Sequence, residues 1–229
     1  MCLFRHMETG VLREITPLGE NDFMYVADRH KKEFDFPIHC HDVMELNFLE
    51  NAAGARRVVG DCSEVIGDID LVLITSPDLE HVWEQHECQS DDIHEITVQF
   101  NIYFEEERSP FRTNPYKSIY QMMMRAKHGL AFSRQAIMTV YQRLVNLVSI
   151  EDKFLMAQEW FYILYELSKF DDARELASST FAKVTASSES RRVLKVKDYI
   201  NNHINDDLRL DQLADLVAMS PSAFSRFFK

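Results

Sequence analysis

Residues 36–46 read FPIHCHDVMEL, and this stretch decides how the first half of the chain is interpreted. His39 and His41 stand one residue apart, and Glu45 follows four residues after the second histidine. Because side chains alternate between the faces of a β-strand, all three would share one face if the segment is a strand. Imidazole and carboxylate groups gathered in this way suit a metal ion. The stretch therefore predicts either a metal centre or a polar pocket inside a β-barrel.

The composition is that of a globular protein with one large domain or two smaller ones. The chain has 229 residues, of which 46% are hydrophobic and 27% charged. No apolar run has the length of a membrane-spanning helix, and the N-terminus MCLFRHMETG lacks the pattern of a signal peptide. The cysteines are scattered without close pairs: Cys2, Cys40, Cys62 and Cys88. We therefore expect a cytoplasmic protein with reduced thiols and no contact with a membrane.

Strand patterns precede helix patterns along the chain. Short runs rich in Val, Ile, Leu and Phe are separated by glycines and polar clusters, and they lie at residues 43–50, 55–60, 70–76 and 94–100. Their spacing favours a barrel or a sandwich. Helical spacing of apolar residues follows at residues 114–130, 133–149 and 153–170, with Ser133 as a cap. This order predicts an α+β chain in which a β domain precedes the helices.

The charge is distributed unevenly between the body of the chain and its tail. The formal net charge is −12, which alone argues against nucleic acid as a partner. A stretch of small and polar residues, 177–190, is predicted to be a linker. The tail beyond it, residues 191–229, carries seven lysines and arginines against five acidic residues. A mildly basic tail on an acidic body is compatible with docking of the tail on phosphates.

The tail is predicted to form short helices around a tight corner. Ser220 would cap the last helix, and Pro221 would occupy its first turn, where the missing N–H is harmless. Phe224 and Phe228 are four residues apart and are expected to pack inward. The polar and basic residues left on the outer face are Ser222, Ser225, Arg226 and Lys229. The pattern predicts either a helix-turn-helix or an ordinary helical hairpin.

Two parts of the chain resemble the AraC/XylS-type bacterial transcription regulators. Residues 205–229, NDDLRLDQLADLVAMSPSAFSRFFK, resemble the first helix-turn-helix of that family in the L-x-x-L-A helix, the M-S corner and the closing F-S-R-x-F-K. The N-terminal part resembles the cupin-like sensor barrel attached to many of these regulators. The matching stretches are P-x-H-x-H-x-x-x-E-L from Pro37, GDIDLVLI from Gly67 and PDLEHVW from Pro77.

This resemblance implies a cupin-like sensor domain with C-terminal helices at residues 1–176 and part of an all-α DNA-binding domain at residues 191–229. The family has two helix-turn-helix units, so we expect a fragment or a truncated product that binds DNA weakly by itself. It also implies a regulator of promoter DNA and not an enzyme. The small-molecule effector is open, with a sugar as one candidate. The residues expected to contact DNA are Ser220, Ser222, Ser225, Arg226 and Lys229.

The resemblance leaves the role of the opening motif unresolved. His39, His41, Glu45 and His81 offer three imidazoles and one carboxylate, which Zn²⁺, Fe²⁺ and Mn²⁺ all accept. The segment Pro77–His81 reads PDLEH and lacks the glycine that metal-binding cupins usually carry there. The same residues could instead line an effector pocket, with Trp83 as a stacking wall, or serve as satisfied polar groups in the interior. A regulator of this kind requires no metal.

Two rival functions and one assembly hypothesis accompany this interpretation. The chain could be a metal-dependent cupin enzyme, such as an isomerase or dioxygenase, or a ligand-binding module without DNA binding. Segment 133–148 or segment 153–170 is expected to join two subunits into a homodimer, because both carry more apolar residues than one exposed helix needs. Arg56 and Arg57 precede a strand and are expected on the solvated surface, although one of them could instead reach an anionic ligand.

Overall fold

The computed structural model describes residues 4–6, 11–19, 21–178, 196, 199–200, 208–216 and 224–225. The chain divides into two compact units, one formed by Met1–Met7 with Val11–Ala182 and the other by Glu8–Gly10 with Lys183–Lys229. All the described strands lie in the first unit. The residues of the opening motif, together with His81 and Trp83, therefore belong to the first unit alone.

The strands are β1 (Phe4–His6), β2 (Leu12–Glu14), β3 (Met24–Lys31), β4 (His39–Cys40), β5 (Met44–Glu50), β6 (Arg56–Val59), β7 (Cys62–Val65), β8 (Ile69–Ile74), β9 (His81–Glu84), β10 (Ile93–Phe100), β11 (Leu130–Ala131) and β12 (Arg174–Glu175). The helices are α1 (Lys117–Arg125), α2 (Arg134–Leu147), α3 (Lys153–Leu167) and α4 (Leu210–Leu216). Short 3-10 helices lie at Pro110–Arg112, Asn114–Tyr116 and Ala126–His128.

The described strands form two six-stranded sheets. The first sheet has the order β1-β2-β4-β9-β6-β7, and the second has the order β12-β11-β8-β5-β10-β3. β2 and β4 are parallel, whereas the other described pairs are antiparallel. The α+β class is confirmed. The described strands do not form the closed barrel that the sequence predicts, because no described strand of one sheet is hydrogen-bonded to a strand of the other.

The second sheet carries the helices on one face. Alternate residues of β10, namely Ile96, Val98 and Phe100, are buried in one core with residues of α1, α2 and α3. Trp160 of α3 is fully buried and lies edge-on to Phe100, with ring centroids 4.8 Å apart. The intervening residues of β10 face the other way, toward the first sheet. This alternation leaves the second face of the sheet for polar side chains.

Local sequence signals account for the bounds of the helices. The Ser133 hydroxyl accepts a hydrogen bond from the Ala136 N–H at 3.3 Å, which caps α2 as predicted. The Asp152 carboxylate accepts from the N–H groups of Phe154 and Leu155 and caps α3. Among the described residues, no helix has both the length and the apolar composition that crossing a membrane requires.

The described part of the second unit is small. Val196, Ala214 and Phe224 form a buried apolar cluster, so Phe224 packs inward as predicted. Ser225 is exposed. The other residues expected to contact DNA, and most of the expected linker, lie outside the described residues: Ser220, Ser222, Arg226, Lys229 and residues 179–190. The helix-turn-helix therefore stays a prediction.

Candidate functional site

The opening motif is split between the two sheets. His39 belongs to β4 in the first sheet, and Glu45 belongs to β5 in the second. His41 lies in the short connection between them, and its Nδ1 is 2.9 Å from the Val43 carbonyl oxygen. The interpretation of the motif as one continuous strand is therefore wrong. The side chains meet because the chain crosses between facing sheets, not because they share parity on one strand.

His81 completes the group, because the first sheet pairs His39 of β4 with His81 of β9. We call His39, His41, His81 and Glu45 the histidine cluster. Ring centroids of His39 and His81 are 4.3 Å apart, and those of His41 and His81 are 5.0 Å apart. One ligand atom from each histidine lies within 4.8 Å of the others. The structure thus brings together all four residues of the predicted site, and each is at least nine-tenths buried.

Hydrogen bonds to backbone carbonyls fix the orientation of all three imidazoles. Nδ1 of His39 is 3.0 Å from the Pro37 oxygen, and Nδ1 of His81 is 2.8 Å from the Leu79 oxygen. His41 makes the corresponding contact with Val43. A carbonyl oxygen only accepts, so each Nδ1 carries the proton and donates it. Neutral His39 and His81 therefore present unprotonated Nε2 atoms to the cluster.

His41 and Glu45 form an ion pair inside the cluster. His41 Nε2 lies 3.1 Å from a Glu45 carboxylate oxygen. Burial disfavours the charge on His41, but the hydrogen bond to Glu45 outweighs burial and raises the pKa of His41. Burial also acts to raise the pKa of Glu45, yet the same bond and the nearby imidazoles hold that pKa well below its usual range. Both shifts favour the charged forms of the pair, an imidazolium and a carboxylate.

The other two histidines and the neighbouring Glu14 respond mainly to burial. Burial lowers the pKa of His39, and it lowers the pKa of His81 further below its ordinary value, with the neighbouring imidazoles acting in the same direction. Burial and the charge of Glu45 raise the pKa of Glu14. Neutral imidazoles beside a carboxylate provide a donor set that a divalent metal accepts.

A cavity of about 260 Å³ opens beside the cluster between the two sheets. His39 and Glu45 lie in its wall, together with Trp83. Trp83 is 6% exposed, and its Nε1 donates to Asp70 at 3.2 Å. The structure therefore places Trp83 both in the core and at the cavity, which are the two locations that the sequence left open.

Asp70, which accepts the hydrogen bond from Trp83, is also paired with the buried Arg57. The Arg57 side chain is 4% exposed and forms ion pairs with Asp70 and with Glu64, the latter at 2.8 Å. The surface location expected for Arg57 is wrong, because β6 alternates and turns this residue inward. Arg56 points to solvent and pairs with Glu84, as expected for a surface residue.

Several polar residues of the cavity were missed by the sequence reasoning. Asn47 of β5, Gln99 of β10 and Glu14 of β2 line the cavity. Gln99 donates to Glu14 and to Glu45 of the cluster, whereas Asn47 donates to Thr97. The alternation of Glu95, Thr97 and Gln99 in HEITVQF is the signal that could have revealed the polar face of β10. A second group with metal-ligand spacing, Asp28, His30 and His94, also went unnoticed.

Comparisons with known proteins find solved structures that are similar to this chain at low sequence identity. No family model and no curated protein matches the chain. A solved structure of ToxT from Vibrio cholerae aligns with 91% of this chain and 94% of its own, at 14% identity and a TM-score of 0.39. A ToxT structure bound to an unsaturated fatty acid aligns with 93% of each chain, at 16% identity and a TM-score of 0.39. At these identities and scores we transfer no residue role and no ligand from ToxT to this chain.

Proposed function

We propose that the chain is a ligand-responsive, sequence-specific DNA-binding regulator of the AraC/XylS type. The observation that carries the proposal is the combination of the 205–229 segment, which resembles a helix-turn-helix, with a separate unit that contains a polar cavity. Two packed sheets are also the arrangement of double-sheet jelly rolls, which include cupins. In this proposal the first unit is a cupin-like sensor, and residues 191–229 belong to the DNA-binding part.

Sensing requires that the effector favours one arrangement of the protein over another. The cavity lies between the sheets, so an occupant touches strands of both at once. A ligand there can favour one spacing of the sheets. We place the effector in this cavity, with His39, Glu45 and Trp83 in contact with it and His41 and His81 behind.

The first prediction concerns Arg226, the residue proposed to read DNA. Sequences selected by the chain from a random duplex library at low salt should bind Arg226→Ala more weakly, by about 1–3 kcal/mol, because arginine makes a bidentate contact with guanine. Discrimination at one base should relax in the variant. Low salt is needed because phosphate attraction weakens steeply as counterions are added.

Replacement of Arg226 by lysine distinguishes a contact with a base from a contact with phosphate. Arg226→Lys keeps the charge but not the bidentate geometry, so it should keep phosphate affinity and lose base discrimination. If Arg226 touches only phosphate, Arg226→Ala should weaken all sequences alike and lower the salt slope by about one. Equal affinity and selectivity of wild type and Arg226→Ala would contradict the role, and a chain that selects no DNA at all would contradict the regulator.

A divalent metal in the histidine cluster is a second proposal, favoured by the orientation of the imidazoles. His39, His41 and His81 would supply Nε2 and Glu45 would supply an oxygen, while backbone carbonyls hold each Nδ1–H. His81 Nε2 is buried and has no hydrogen-bond partner among the described residues. A bound ion would supply a Lewis acid to the cavity.

Metal content provides the test of that proposal. Wild type loaded with Zn²⁺, Mn²⁺ or Fe²⁺ and then dialysed should keep an ion that His41→Ala and His81→Ala lose, as measured by elemental analysis. Uptake should release protons at any pH where His41 is protonated, because His41 must be deprotonated to ligate. His86→Asn is the control, since His86 is exposed and outside the cluster. Equal metal content in all variants would contradict the site, and turnover by the loaded chain would favour a cupin enzyme.

The third prediction concerns association through the helices. On α3, Phe154 is 69% exposed and Leu155 is 53% exposed, which leaves a surplus of apolar surface for a dimer contact. Phe154→Asp should shift the chain toward monomer in sedimentation velocity at matched concentration. Val65→Asp is the control, since Val65 is an exposed apolar residue of β7 outside the helices. A wild-type monomer at every concentration would contradict the dimer.

A further inference from the structure

We propose that the effector of this cavity is a small organic amine, with a protonated ammonium group directed at the amide oxygens of Asn47 and Gln99 and an apolar body between the aromatic walls. This inference rests on the proposed sensor function, because it names the class of ligand for the same cavity. Three features of the cavity support it: the directions of the hydrogen bonds made by the two amides, the excess of carboxyl groups in the wall, and the aromatic side chains of the wall.

The orientation of both amides is fixed by their neighbours. Gln99 Nε2 donates to Glu45 at 3.1 Å and to Glu14 at 3.4 Å. Asn47 Nδ2 donates to Thr97 at 3.3 Å and lies 3.5 Å from Glu95. A carboxylate oxygen only accepts, so a flipped Gln99 amide would place oxygen against oxygen at both glutamates. The amide oxygens therefore point away from these partners.

Both amide oxygens are buried acceptors without a donor. Asn47 Oδ1 and Gln99 Oε1 have no hydrogen-bond partner among the described residues, and both residues line the cavity. Each is at least nine-tenths buried. A buried polar atom left unpaired is destabilising, so an occupant that donates to both is favoured. An alkylammonium group consists of donors alone and has no acceptor to leave unsatisfied.

The charge of the cavity favours a cationic donor over a neutral one. Carboxylates outnumber basic groups in the wall, which contains Glu14, Asp35, Glu45 and Glu95 against Arg29 and Lys31. Both basic groups already contact Glu95, at 3.6 Å and 3.0 Å. Glu14 and Glu45 share Gln99 as a donor, and the group that pairs with Glu45 is His41, which is not part of that wall. A sugar hydroxyl would donate to the amide oxygens but would bring no positive charge to a wall in which carboxyl groups outnumber basic groups.

The walls provide the apolar half of the site. Trp83, Phe36 and Tyr25 line the cavity, and aromatic faces attract an organic cation. The cavity of about 260 Å³ is slightly smaller than the pockets of about 300–1,000 Å³ that hold drug-sized ligands. The ligand is therefore small, with room for one ammonium group and one ring or short chain.

Three probes that differ in one functional group test the inference. Phenethylamine, phenethyl alcohol and phenylacetate share an aromatic body and carry a cation, a neutral hydroxyl and an anion. Titration calorimetry with the full chain should show phenethylamine bound about tenfold or more tighter than both others, the size of one charge-assisted hydrogen bond. Tighter binding of phenylacetate would assign the site to anions at Arg29 and Lys31 and overturn the proposal. Equal binding of amine and alcohol, or binding of none, would overturn it as well.

Two substitutions locate the contact. Asn47→Leu and Gln99→Leu remove the amide oxygens, so the preference for the amine should fall in each, while Gln142→Leu on the exposed face of α2 should keep it. An unchanged preference in a folded Gln99→Leu would overturn the proposal, and the comparison of probes in wild type stands even if a variant fails to fold. Binding is measured without DNA. A chain that prefers the amine but never binds DNA would support the cavity assignment and contradict only the regulator.

Discussion

Replacing Arg57 by methionine should lower the free energy of unfolding by about 3–5 kcal/mol, because the change leaves a buried carboxylate without its partner. Arg57 is 4% exposed and lies between Asp70 and Glu64. Asp70 is itself 7% exposed, so water cannot replace the lost guanidinium at that oxygen. Urea-induced unfolding of the two proteins at neutral pH measures the difference.

The neighbouring Arg56 is a matched control for this prediction. It pairs with Glu84, but both side chains are at least 40% exposed, and an exposed ion pair contributes only about 0–1 kcal/mol. Arg56→Met should therefore change stability little. Adding Asp70→Asn to Arg57→Met removes both charges and should recover part of the loss. Equal losses for the two arginine variants would show that the buried network does not carry this stability.

The loss should extend to the cavity, because Asp70 also accepts the hydrogen bond from Trp83. Without Arg57, Asp70 has one fewer group to hold it, and the indole has a less defined partner. A shift of the tryptophan fluorescence of Arg57→Met, absent from Arg56→Met, would follow from movement of Trp83. Arg57 thus positions a wall residue of the cavity without touching the cavity itself.

The sequence predicted best those elements whose signals are local. α2 begins where Ser133 caps it and ends at Leu147, two residues before the predicted end. β5, β8 and β10 match the apolar runs within one residue at their starts. Each of these elements is specified by residues that are close along the chain, through the period of the pattern and the cap.

Features that depend on distant pairing were not predictable in this way. β4 has two residues, too few to show any period, yet it carries His39 beside His81. The change of sheet after Cys40 has no glycine or proline to mark it. Arg57 looks like a surface residue in a sequence window, and only its pairing with β7 and the nearby Asp70 explain its burial. The four cluster residues named from the motif lie together in the structure, although the geometry that unites them was not predicted.

The cavity shows the same division between local and distant signals. Its histidines and Trp83 come from motifs that can be read in the sequence, whereas Asn47 is a single amide in an apolar run and Gln99 is one of several polar residues of β10. Their importance arises from what faces them, namely Glu14, Glu45 and Glu95 from three other positions of the fold. Which acceptors remain unpaired is a property of the whole network, so the class of ligand could not be inferred before the contacts were known.

Acid should unfold the metal-free protein with an unusually steep dependence on pH below about 6.5, the pKa of histidine in an unfolded chain. The folded-state pKa is lowered for both His39 and His81, chiefly by burial. In this range the unfolded chain binds protons that the folded chain does not, so stability falls as pH falls. Two such histidines give a limiting slope of about 2.7 kcal/mol per pH unit.

Two other groups of the site, His41 and Glu14, have raised pKa values, so their contributions to stability change with pH in the opposite direction. The pKa of His41 is raised, so its contribution is complete below about 6.5 and is lost only as pH rises through the folded value. The pKa of Glu14 is also raised, and in acid it offsets part of the slope. The informative quantity is therefore the difference in the slope of stability against pH between wild type and a variant that lacks one of the buried neutral histidines.

His81→Gln should reduce the slope by up to about 1.4 kcal/mol per pH unit at about one pH unit below 6.5, where an unfolded histidine is almost fully protonated and the folded His81 is not. Urea midpoints at closely spaced pH values in the presence of a chelator measure the slope. His86→Asn should keep the wild-type slope, since His86 lies on an exposed turn away from the cluster. Saturating divalent metal should make stability fall more steeply with falling pH in wild type, because protons then compete with the ion for His39, His41 and His81. The effect of metal on this slope should be smaller in His81→Gln. If His81→Gln and wild type have the same slope, His81 is not held neutral in the folded protein, and the arrangement of donors on which the metal proposal draws is wrong.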